Sequence, residues 1–256
     1  MRLMFDKQLA ARYKSASQRA RILTERWVNE SIFCPNCGRL QIDKYPNNRP
    51  VADFFCLNCK EDYELKSKQD NIGTKILDGA YRTKMERLRS STNPNLFVLS
   101  YNLKNLAILN FFVIPKHFFS PEIIEKRKPL AAAARRAGWT GSNILLQKIP
   151  QIGKIFIVKQ KRVEPKEKIL AEWRKTLFLR EEKEMSARGW LLDIIRCVEK
   201  LGKQEFTLSD LYKFEGELSV IHPNNRHIKD KIRQQLQTLR DKNYLIFIKR
   251  GGYKLA

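Results

Sequence analysis

Residues 34–66, CPNCGRLQIDKYPNNRPVADFFCLNCKEDYELK, decide how the rest of the chain is organised. They contain two Cys-x-x-Cys pairs, Cys34 with Cys37 and Cys56 with Cys59, and 18 residues separate Cys37 from Cys56. A two-residue spacer lets one tight turn present two thiolates to one ion, and four thiolates form the tetrahedral set that zinc prefers. The spacing therefore predicts a zinc ribbon over residues 34–59, with all four cysteines as ligands to Zn²⁺.

Two disulfides are the alternative interpretation of these cysteines, and they would indicate an oxidising compartment. The first residues, MRLMFD, do not have the pattern of a signal peptide. We therefore expect reduced cysteines and a cytoplasmic protein. A fifth cysteine, Cys197, lies in an apolar helical pattern and is predicted to be a core residue.

Two short strands flank the second cysteine pair, at residues 51–55 and 63–66. Both are rich in β-branched or aromatic residues, which is typical of a hairpin. Side chains alternate along a strand, so Glu64 and Lys66 lie on one face, and Asp53 on the neighbouring strand can point to the same side. The pattern predicts two carboxylates and one ammonium on one face of a small sheet.

Such a group of side chains suits phosphodiester hydrolysis. Asp53 and Glu64, with the carbonyl of Leu65, offer the oxygen ligands that Mg²⁺ takes, for one or two ions. The metal would polarise a phosphate oxygen and activate a water molecule. Lys66 would orient that water as a base or offset the charge that develops on the phosphate. The alternative is a cross-strand ion pair on a solvated face, which is common and contributes little stability.

The residues also carry a resemblance. Asp53, a ten-residue gap and Glu64-Leu65-Lys66 resemble the motif of the PD-(D/E)XK nucleases, although Ala52 stands where many of them have proline. The stretches 17–25, 47–54, 134–139 and 231–237 are similar to the DpnI-like methyl-directed restriction endonucleases. The resemblance implies an α/β PD-(D/E)XK core with an inserted zinc ribbon, a C-terminal winged helix, and Mg²⁺-dependent cleavage of double-stranded GATC sites whose adenine is N6-methylated.

The charge of the chain agrees with a nucleic-acid partner. Fifty Lys and Arg against 27 Asp and Glu give a formal charge of +23, spread along the sequence. An excess of this size usually indicates a polyanionic partner. Ribosomal RNA binding and attachment to a membrane surface are the alternatives. No run of about 18 apolar residues is present, so the sequence predicts no membrane span.

The N-terminal part of the chain predicts an α/β core. Helices are expected over residues 17–30 and 73–90, and buried strands over residues 95–101, 106–114 and 155–158. In the second helix, basic side chains are expected to lie near the DNA backbone; these are Lys75, Arg82, Lys84, Arg87 and Arg89.

A basic stretch at residues 126–142 carries one aromatic side chain between two glycines. Arg135 and Arg136 precede Trp139, and we expect the arginines to hold phosphates, as most such contacts do. Trp139 is expected to present an apolar surface to the N6-methyl group or to a base. The alternative is a core tryptophan in a loop.

A charged stretch at residues 180–188 predicts a boundary between an endonuclease domain, residues 1–183, and a winged-helix domain, residues 184–256. Three helices and a hairpin are expected in the second domain, and the third helix, residues 225–242, would enter the major groove. Arg and Gln pair with guanine and adenine edges. The predicted DNA contacts on this helix are Lys229, Arg233, Gln234 and Gln237, and those at the hairpin tip are Lys249 and Arg250. The alternative is a protein contact, which winged helices also make.

The sequence therefore favours a monomeric endonuclease for adenine-methylated GATC duplex DNA. A nuclease of the same fold with different or methyl-independent specificity is the second hypothesis. A non-catalytic DNA-binding regulator, which would use the zinc ribbon and the winged helix alone, is the third.

Overall fold

The computed structural model describes residues 1–46, 52–90 and 92–256, apart from the side chain of Ala10. The described chain forms two compact units. The first comprises residues 1–147 and 152–176, and the second comprises residues 148–151 and 177–256. The predicted domain boundary after residue 183 differs from this division and stays a prediction. Within the described residues, no helix has both the length and the apolar character needed to cross a bilayer.

The first unit is built on two sheets. Its strands are β1 (Asp43–Lys44), β2 (Phe54–Phe55), β3 (Asp62–Gln69), β4 (Lys75–Ala80), β5 (Asn95–Asn102), β6 (Ala107–Ile114), β7 (Ile124–Lys126), β8 (Gly141–Leu145), β9 (Ile155–Lys159) and β10 (Arg162–Val163). The larger sheet has the order β1-β2-β3-β5-β6-β9-β10, and the smaller one has the order β4-β8-β7. In the larger sheet β3 and β5 run parallel, whereas the other pairs are antiparallel. The mixed sheet confirms the predicted α/β class.

The core of the first unit lies on the central strands of the larger sheet. Seven consecutive residues of β5, Asn95–Tyr101, are buried, which fits a strand that is covered on both faces. Helix α2 (Ala16–Ser31) packs against this sheet, and its Trp27 ring meets Phe111 of β6 edge to face at 5.3 Å. The predicted helix at 17–30 and the predicted strands are therefore confirmed. The other helices of this unit are α1 (Lys7–Ala11), α3 (Tyr81–Leu88) and α4 (Lys166–Lys175).

The helix expected over residues 73–90 is wrong in its first half. Residues 75–80 form β4, which pairs with β8, and only residues 81–88 are helical. The burial of β4 alternates, with Ile76 buried between the exposed Lys75 and Leu77. The apolar residues fit both periods, but Gly79 weakens a helix interior, and pairing with β8 decides in favour of a strand.

The second unit has the element order of a winged helix. Its elements are α5 (Phe178–Glu181), α6 (Met185–Leu201), β11 (Glu205–Thr207), α7 (Leu208–Tyr212), α8 (Glu215–Ile221), α9 (Ile228–Asp241), β12 (Leu245–Lys249) and β13 (Gly252–Leu255). The strands form a sheet in the order β11-β13-β12. The predicted helices and hairpin are present, and β11 and the short α8 are additions that the sequence analysis missed.

Local signals explain where these helices begin and end. Thr207 caps α7 through a reciprocal pair of hydrogen bonds with Asp210, and Gly202 ends α6 in the left-handed conformation at φ +63°. Helix α9 buries Ile228, Ile232, Leu236 and Leu239, whose spacing of three and four residues gives one apolar face. The opposite face of α9 is left to polar and basic side chains. Cys197 is buried in α6, as predicted.

Candidate active site and metal centre

The β2–β3 hairpin brings the predicted catalytic side chains together. Phe54 pairs with Tyr63, and the backbone N–H of Asp53 donates to the Tyr63 carbonyl at 2.9 Å. Asp53 Oδ2 accepts a hydrogen bond from the Leu65 N–H at 2.7 Å, so the carboxylate lies against β3 between Glu64 and Lys66. The predicted hairpin is confirmed from Ala52 onward, while Val51 and the rest of residues 47–51 lie outside the described residues.

Glu64 and Lys66 lie on the same face of β3 and contact each other, with Lys66 Nζ 2.7 Å from Glu64 Oε1. They line a cleft of about 440 Å³ with Asp53. Their side chains are 15% and 23% exposed, which excludes the alternative of an ion pair on a solvated face. The opposite wall is α2, which contributes Ser17, Ala20, Arg21, Thr24 and Glu25.

Two residues that the sequence analysis did not assign to the site complete the charges around Glu64 and Lys66. Asp78 of β4 contacts Lys66 Nζ at 2.8 Å, and Lys84 of α3 contacts Asp78 at 3.0 Å and Glu64 at 3.3 Å. We call Glu64, Lys66, Asp78 and Lys84 the ion cluster. The expectation that Lys84 lies near the DNA backbone is wrong, because its side chain is only 8% exposed.

The sequence offered one signal that residues 73–90 are not all helical and that Asp78 has a special place, namely a carboxylate in the middle of the predicted helix. Asp78 and Gly79 interrupt the apolar pattern of residues 73–90, and both residue types disfavour a helix interior. A strand at this place puts Asp78 on the opposite face from Leu77, and the register of β4 with β8 shifts directly after it, between Asp78 and Ala80. Nothing in the sequence, however, shows which partner the carboxylate meets.

The electrostatics of the ion cluster determine the protonation of Lys66. Burial by itself would lower the pKa of Lys66, but the carboxylates of Glu64 and Asp78 outweigh burial and raise the pKa above its ordinary value. Burial would raise the pKa of Asp78, but the ammonium groups of Lys84 and Lys66 hold it well below its usual range. At neutral pH Lys66 is therefore an ammonium, suited to stabilise negative charge rather than to accept a proton.

Asp53, unlike Asp78, has more negative than positive charge around its carboxylate. Burial is the main cause that raises the pKa of Asp53, and the nearby carboxylates of Glu64 and Glu25 raise it further, against the Leu65 N–H. An excess of carboxylate at a cleft is the environment that a bound cation relieves. Asp53, Glu64 and the Leu65 carbonyl supply hard oxygen donors, so the site fits Mg²⁺.

Glu25 is a further cleft residue that the sequence analysis missed. It lies on α2 with 5% exposure, and its carboxylate contacts Arg21 Nε at 2.6 Å and Lys44 Nζ at 2.7 Å. Glu25 is two residues from both Leu23 and Trp27, which places it on the other side of the helix from that apolar pair, so its sequence pattern is that of an ordinary amphipathic helix. Both of its oxygens are already engaged by cations.

The four predicted zinc ligands form a cysteine cluster, defined as Cys34, Cys37, Cys56 and Cys59. Their sulfur atoms lie within 4.8 Å of one another, and the shortest separations are 3.5 Å for Cys34–Cys59 and 3.6 Å for Cys37–Cys56. Four sulfurs at the usual Zn–S distance of about 2.3 Å are spaced about 3.8 Å apart at tetrahedral corners. All four are free cysteines, so the disulfide alternative is wrong and the cluster can hold zinc.

Two tight turns shape the cysteine cluster. The Gly38 N–H donates to the Cys34 carbonyl at 2.8 Å, and the Lys60 N–H donates to the Cys56 carbonyl at 2.9 Å. Gly38 and Lys60 have left-handed backbone angles, with φ of +79° and +58°. The hydrogen bond between Cys34 and Cys59 is the main cause that lowers the pKa of Cys59 to about 5, and together with burial it raises the pKa of Cys34. Zinc binding would therefore displace the proton that Cys34 keeps.

The cysteine cluster contacts the catalytic strand through one side chain. The Tyr63 hydroxyl lies 3.1 Å from Cys34 Sγ, and Tyr63 directly precedes Glu64 on β3. The Tyr63 ring is fully buried and stacks on Phe97 of β5 at 4.5 Å. One strand therefore joins the metal-ligating sulfurs to the carboxylate of the cleft.

The basic loop of the first unit presents its predicted contacts at the surface. Arg135 and Arg136 are exposed, and the Arg136 guanidinium lies over the Trp139 ring at 4.7 Å. Trp139 is partly exposed and packs on Gly141, where a Cβ atom would approach the ring to 2.9 Å. Trp139 is therefore not a core residue, contrary to the alternative interpretation.

The predicted contacts of the second unit lie on exposed faces. Lys229, Arg233, Gln234 and Gln237 are exposed on α9, away from its buried apolar face. Three of the four already have partners. Lys229 lies 3.3 Å from Glu215, Arg233 donates to the Tyr212 hydroxyl at 2.5 Å, and Gln234 Oε1 accepts a hydrogen bond from Lys231 at 2.8 Å. Lys249 and Arg250 are exposed at the tip of the β12–β13 hairpin. These positions suit contact with a groove and backbone of DNA.

Comparison with known protein families accounts for both parts of the chain. Residues 1–182 match the model of the DpnI family, described as the Dam-replacing family. Residues 186–255 match the model of the Dam-replacing HTH domain. The two matches agree with the nuclease-like cleft in the first and the helix-turn-helix arrangement in the second.

Proposed function

We propose, because this chain belongs to the DpnI, Dam-replacing family of methyl-directed restriction enzymes, that it cuts double-stranded DNA at GATC sites whose adenine is N6-methylated. The reaction is Mg²⁺-dependent hydrolysis of a phosphodiester. The observation that carries the proposal is the placement of Asp53, Glu64 and Lys66 on one face of β2–β3, in a cleft of about 440 Å³. Family membership makes the chain a methyl-dependent restriction endonuclease, and the site and the reaction details are the proposal.

Asp53 and Glu64, with the Leu65 carbonyl, would hold the magnesium ion. Asp53 uses Oδ2 for the Leu65 N–H, which leaves its second oxygen for a metal. A bound Mg²⁺ would polarise a phosphate oxygen and lower the pKa of a water molecule in the cleft. We further propose Zn²⁺ in the cysteine cluster as a structural ion, since its four sulfurs leave no coordination position open.

Lys66 contributes charge stabilisation. Its ammonium has three hydrogens, and Glu64 and Asp78 take two of them at 2.7 Å and 2.8 Å. The third can hold a phosphate oxygen as negative charge develops there. In the reaction a water oxygen would form the new bond to phosphorus and the ester P–O bond would break. The attacking water would give one proton to solvent, and the leaving oxygen would take one proton from solvent to end as an alcohol.

DNA recognition is divided between two sets of exposed residues. In the first unit Arg135 and Arg136 would hold phosphates, and Trp139 would offer its partly exposed ring to the methyl group or a base. N6-methylation places an apolar group in the major groove, where base edges are read. A partly exposed aromatic ring beside the Arg136 guanidinium suits that chemistry.

In the second unit α9 would enter the major groove. Arg233, Gln234 and Gln237 would contact base edges, while Lys229, Lys249 and Arg250 would contact phosphates. The formal charge of +23 supports a duplex partner whose affinity falls steeply with salt. We propose that the protein acts as a monomer, which sedimentation of the free and DNA-bound protein tests.

The proposal is tested with one plasmid prepared in adenine-methylating and in non-methylating cells. With Mg²⁺, the protein is expected to give GATC fragments from the methylated plasmid alone, and Asp53→Ala is expected to bind it without cutting. Cleavage of both plasmids would reject methyl dependence. Tight binding without cleavage by the unchanged protein would reject the nuclease and favour a DNA-binding regulator.

A further inference from the structure

We propose that Asp78 and Lys84 are positioning residues of the nuclease centre, which hold Lys66 and Glu64 in register from outside the cleft. This inference rests on the proposed function of Glu64 and Lys66. Asp78 comes from β4 and Lys84 from α3, both beyond the β2–β3 hairpin that carries the motif. The hairpin alone therefore does not complete the site.

The four side chains form a closed ring in which each ammonium group lies between one oxygen of Glu64 and one oxygen of Asp78. Glu64 Oε1 meets Lys66 at 2.7 Å, and Glu64 Oε2 meets Lys84 at 3.3 Å. Asp78 Oδ1 meets Lys66 at 2.8 Å, and Asp78 Oδ2 meets Lys84 at 3.0 Å. Two negative and two positive charges make the ring neutral, so it can remain buried without a counterion from solvent.

Burial separates the ring into an inner and an outer pair. Asp78 and Lys84 have side chains that are 3% and 8% exposed, whereas Glu64 and Lys66 are 15% and 23% exposed. The more exposed pair lines the cleft. Asp78 and Lys84 therefore reach a substrate only through Lys66 and Glu64, which makes them positioning residues rather than catalytic ones.

The ring gives each catalytic side chain a second support. When Glu64 turns an oxygen to a cation in the cleft, Lys66 would lose one of its two partners, and Asp78 keeps the ammonium in place. Lys84 likewise holds the other Glu64 oxygen. Placement within a fraction of an ångström matters, because a shift of about 1 Å in a reacting group can cost about 100-fold in rate.

Backbone contacts fix the strand that carries Asp78. Asp78 pairs with Ser142 of β8, and the Ser142 hydroxyl donates to the Gly79 carbonyl at 3.0 Å. On the helix side the Tyr81 N–H donates to the Thr140 carbonyl at 3.1 Å. The strand is thus bonded to residues 140–145, which fixes the position of Asp78 within the smaller sheet, and the Asp78–Lys66 ion pair then joins that sheet to β3.

The test compares Asp78→Asn and Lys84→Met with a matched control, Glu125→Gln. Glu125 pairs with Lys75 at 3.0 Å in the same small sheet, and Asp78→Asn and Glu125→Gln change the net charge equally. Single-turnover cleavage of a methylated GATC duplex is measured with Mg²⁺, DNA affinity is measured in EDTA, and melting temperature reports folding. We expect about 100-fold slower cleavage in the first two variants, with affinity within about twofold of the control.

Conservative variants separate positioning from folding. Lys84→Arg keeps the charge, and Asp78→Glu keeps the carboxylate, so both are expected to recover part of the lost rate. Lys84→Met is also expected to need more Mg²⁺ for half-maximal rate, because Glu64 loses a support. A purely structural residue would lower the melting temperature without this split between rate and affinity.

Wild-type cleavage by folded Asp78→Asn and Lys84→Met would overturn the inference. Failure of both neutral variants to fold, with full rate in Asp78→Glu and Lys84→Arg, would also overturn it in favour of a structural role. If the unchanged protein itself cut no duplex, the proposed function would be wrong rather than the role of these two residues.

Discussion

The two four-residue clusters that β3 contacts or contributes to balance their charges in opposite ways. The cysteine cluster gathers four sulfurs within 4.8 Å and supplies no cation of its own. The ion cluster gathers two carboxylates and two ammonium groups at distances of 2.7–3.3 Å and supplies both charges itself. One cluster needs a metal from solution before its thiolates are stable together, and the other is complete when the chain folds.

Because of this difference, we expect the two clusters to have different roles for β3, one in folding and one in the orientation of side chains. Tyr63 contacts the cysteine cluster and Glu64 belongs to the ion cluster, and the two are adjacent in sequence. On the proposed function, a structural metal would fix where the strand begins, while internal ion pairs would fix how the proposed catalytic side chains point. We expect loss of the metal to unfold the first unit, and loss of an ion pair to slow cleavage in a protein that is less stable but still folded.

Zinc removal is expected to have the largest effect. Structural zinc contributes on the order of 10 kcal/mol to folding in small zinc modules, so a chelator should lower the melting temperature and abolish cleavage. Zinc, but not Mg²⁺ alone, should restore both. Cys197→Ala is the control, because Cys197 belongs to α6 of the second unit and is not one of the four clustered cysteines. Full stability and cleavage in protein shown by metal analysis to lack zinc would break the comparison.

Acidification is expected to affect the clusters differently. Thiolates compete with protons for zinc, so zinc release and loss of stability should begin as the pH falls from 7 towards 5. Burial would raise the pKa of Asp78, but Lys84 and Lys66 lower it below the ordinary aspartate value of about 3.9. The contribution of Asp78 to stability is therefore complete above a pH of about 3.9 and is lost only as the pH falls below that value. The difference in unfolding free energy between wild type and Asp78→Asn, about 3 kcal/mol for a broken buried pair, should therefore stay constant between pH 7 and 5. Urea unfolding at several pH values measures it, and a difference that shrinks in step with zinc release would contradict the separation.

Recognition residues are expected to have smaller effects, since they act outside both clusters. Arg233→Ala or Gln237→Ala on α9 should weaken binding to a methylated GATC duplex by about 1–3 kcal/mol and reduce discrimination at one base pair. Melting temperature should be unchanged, because both side chains are exposed. Competition binding with single-base variants of the duplex measures this. An equal loss on every sequence would instead make these residues phosphate contacts.

The smallest effect is expected at the basic loop. Arg136→Ala should reduce the slope of log affinity against log salt by about 1, as for one lost phosphate contact. Its guanidinium lies over Trp139, so the variant also tests whether the ring needs that support. Binding titrations at several salt concentrations give the slope. An unchanged slope would place Arg136 away from the DNA backbone.

Features encoded by local spacing could be predicted from the sequence. The Cys-x-x-Cys pairs, the β2–β3 hairpin and the amphipathic α9 all depend on residues close together in the chain, and the structure places them as expected. Their periods and turn residues leave few alternatives. The strand pattern of β5 and β6 was clear for the same reason.

Features that depend on distant partners could not be predicted. Residues 75–80 fit a helix or a strand by period, and their pairing with β8, more than 60 residues later, decides between them. Asp78 and Lys84 therefore enter the ion cluster only through tertiary structure, and Lys84 resembled a surface cation in sequence. Glu25 was missed because the cleft, rather than its helix, gives it meaning.

Cleavage of two short duplexes that differ only in the N6-methyl groups of a single GATC site tests the account most directly. With Mg²⁺ and zinc-loaded protein, we expect both strands of the methylated duplex to be cut by the unchanged protein and neither strand by Asp53→Ala. The unmethylated duplex should stay intact. Equal cutting of the two duplexes, or cutting that persists in Asp53→Ala, would contradict the account.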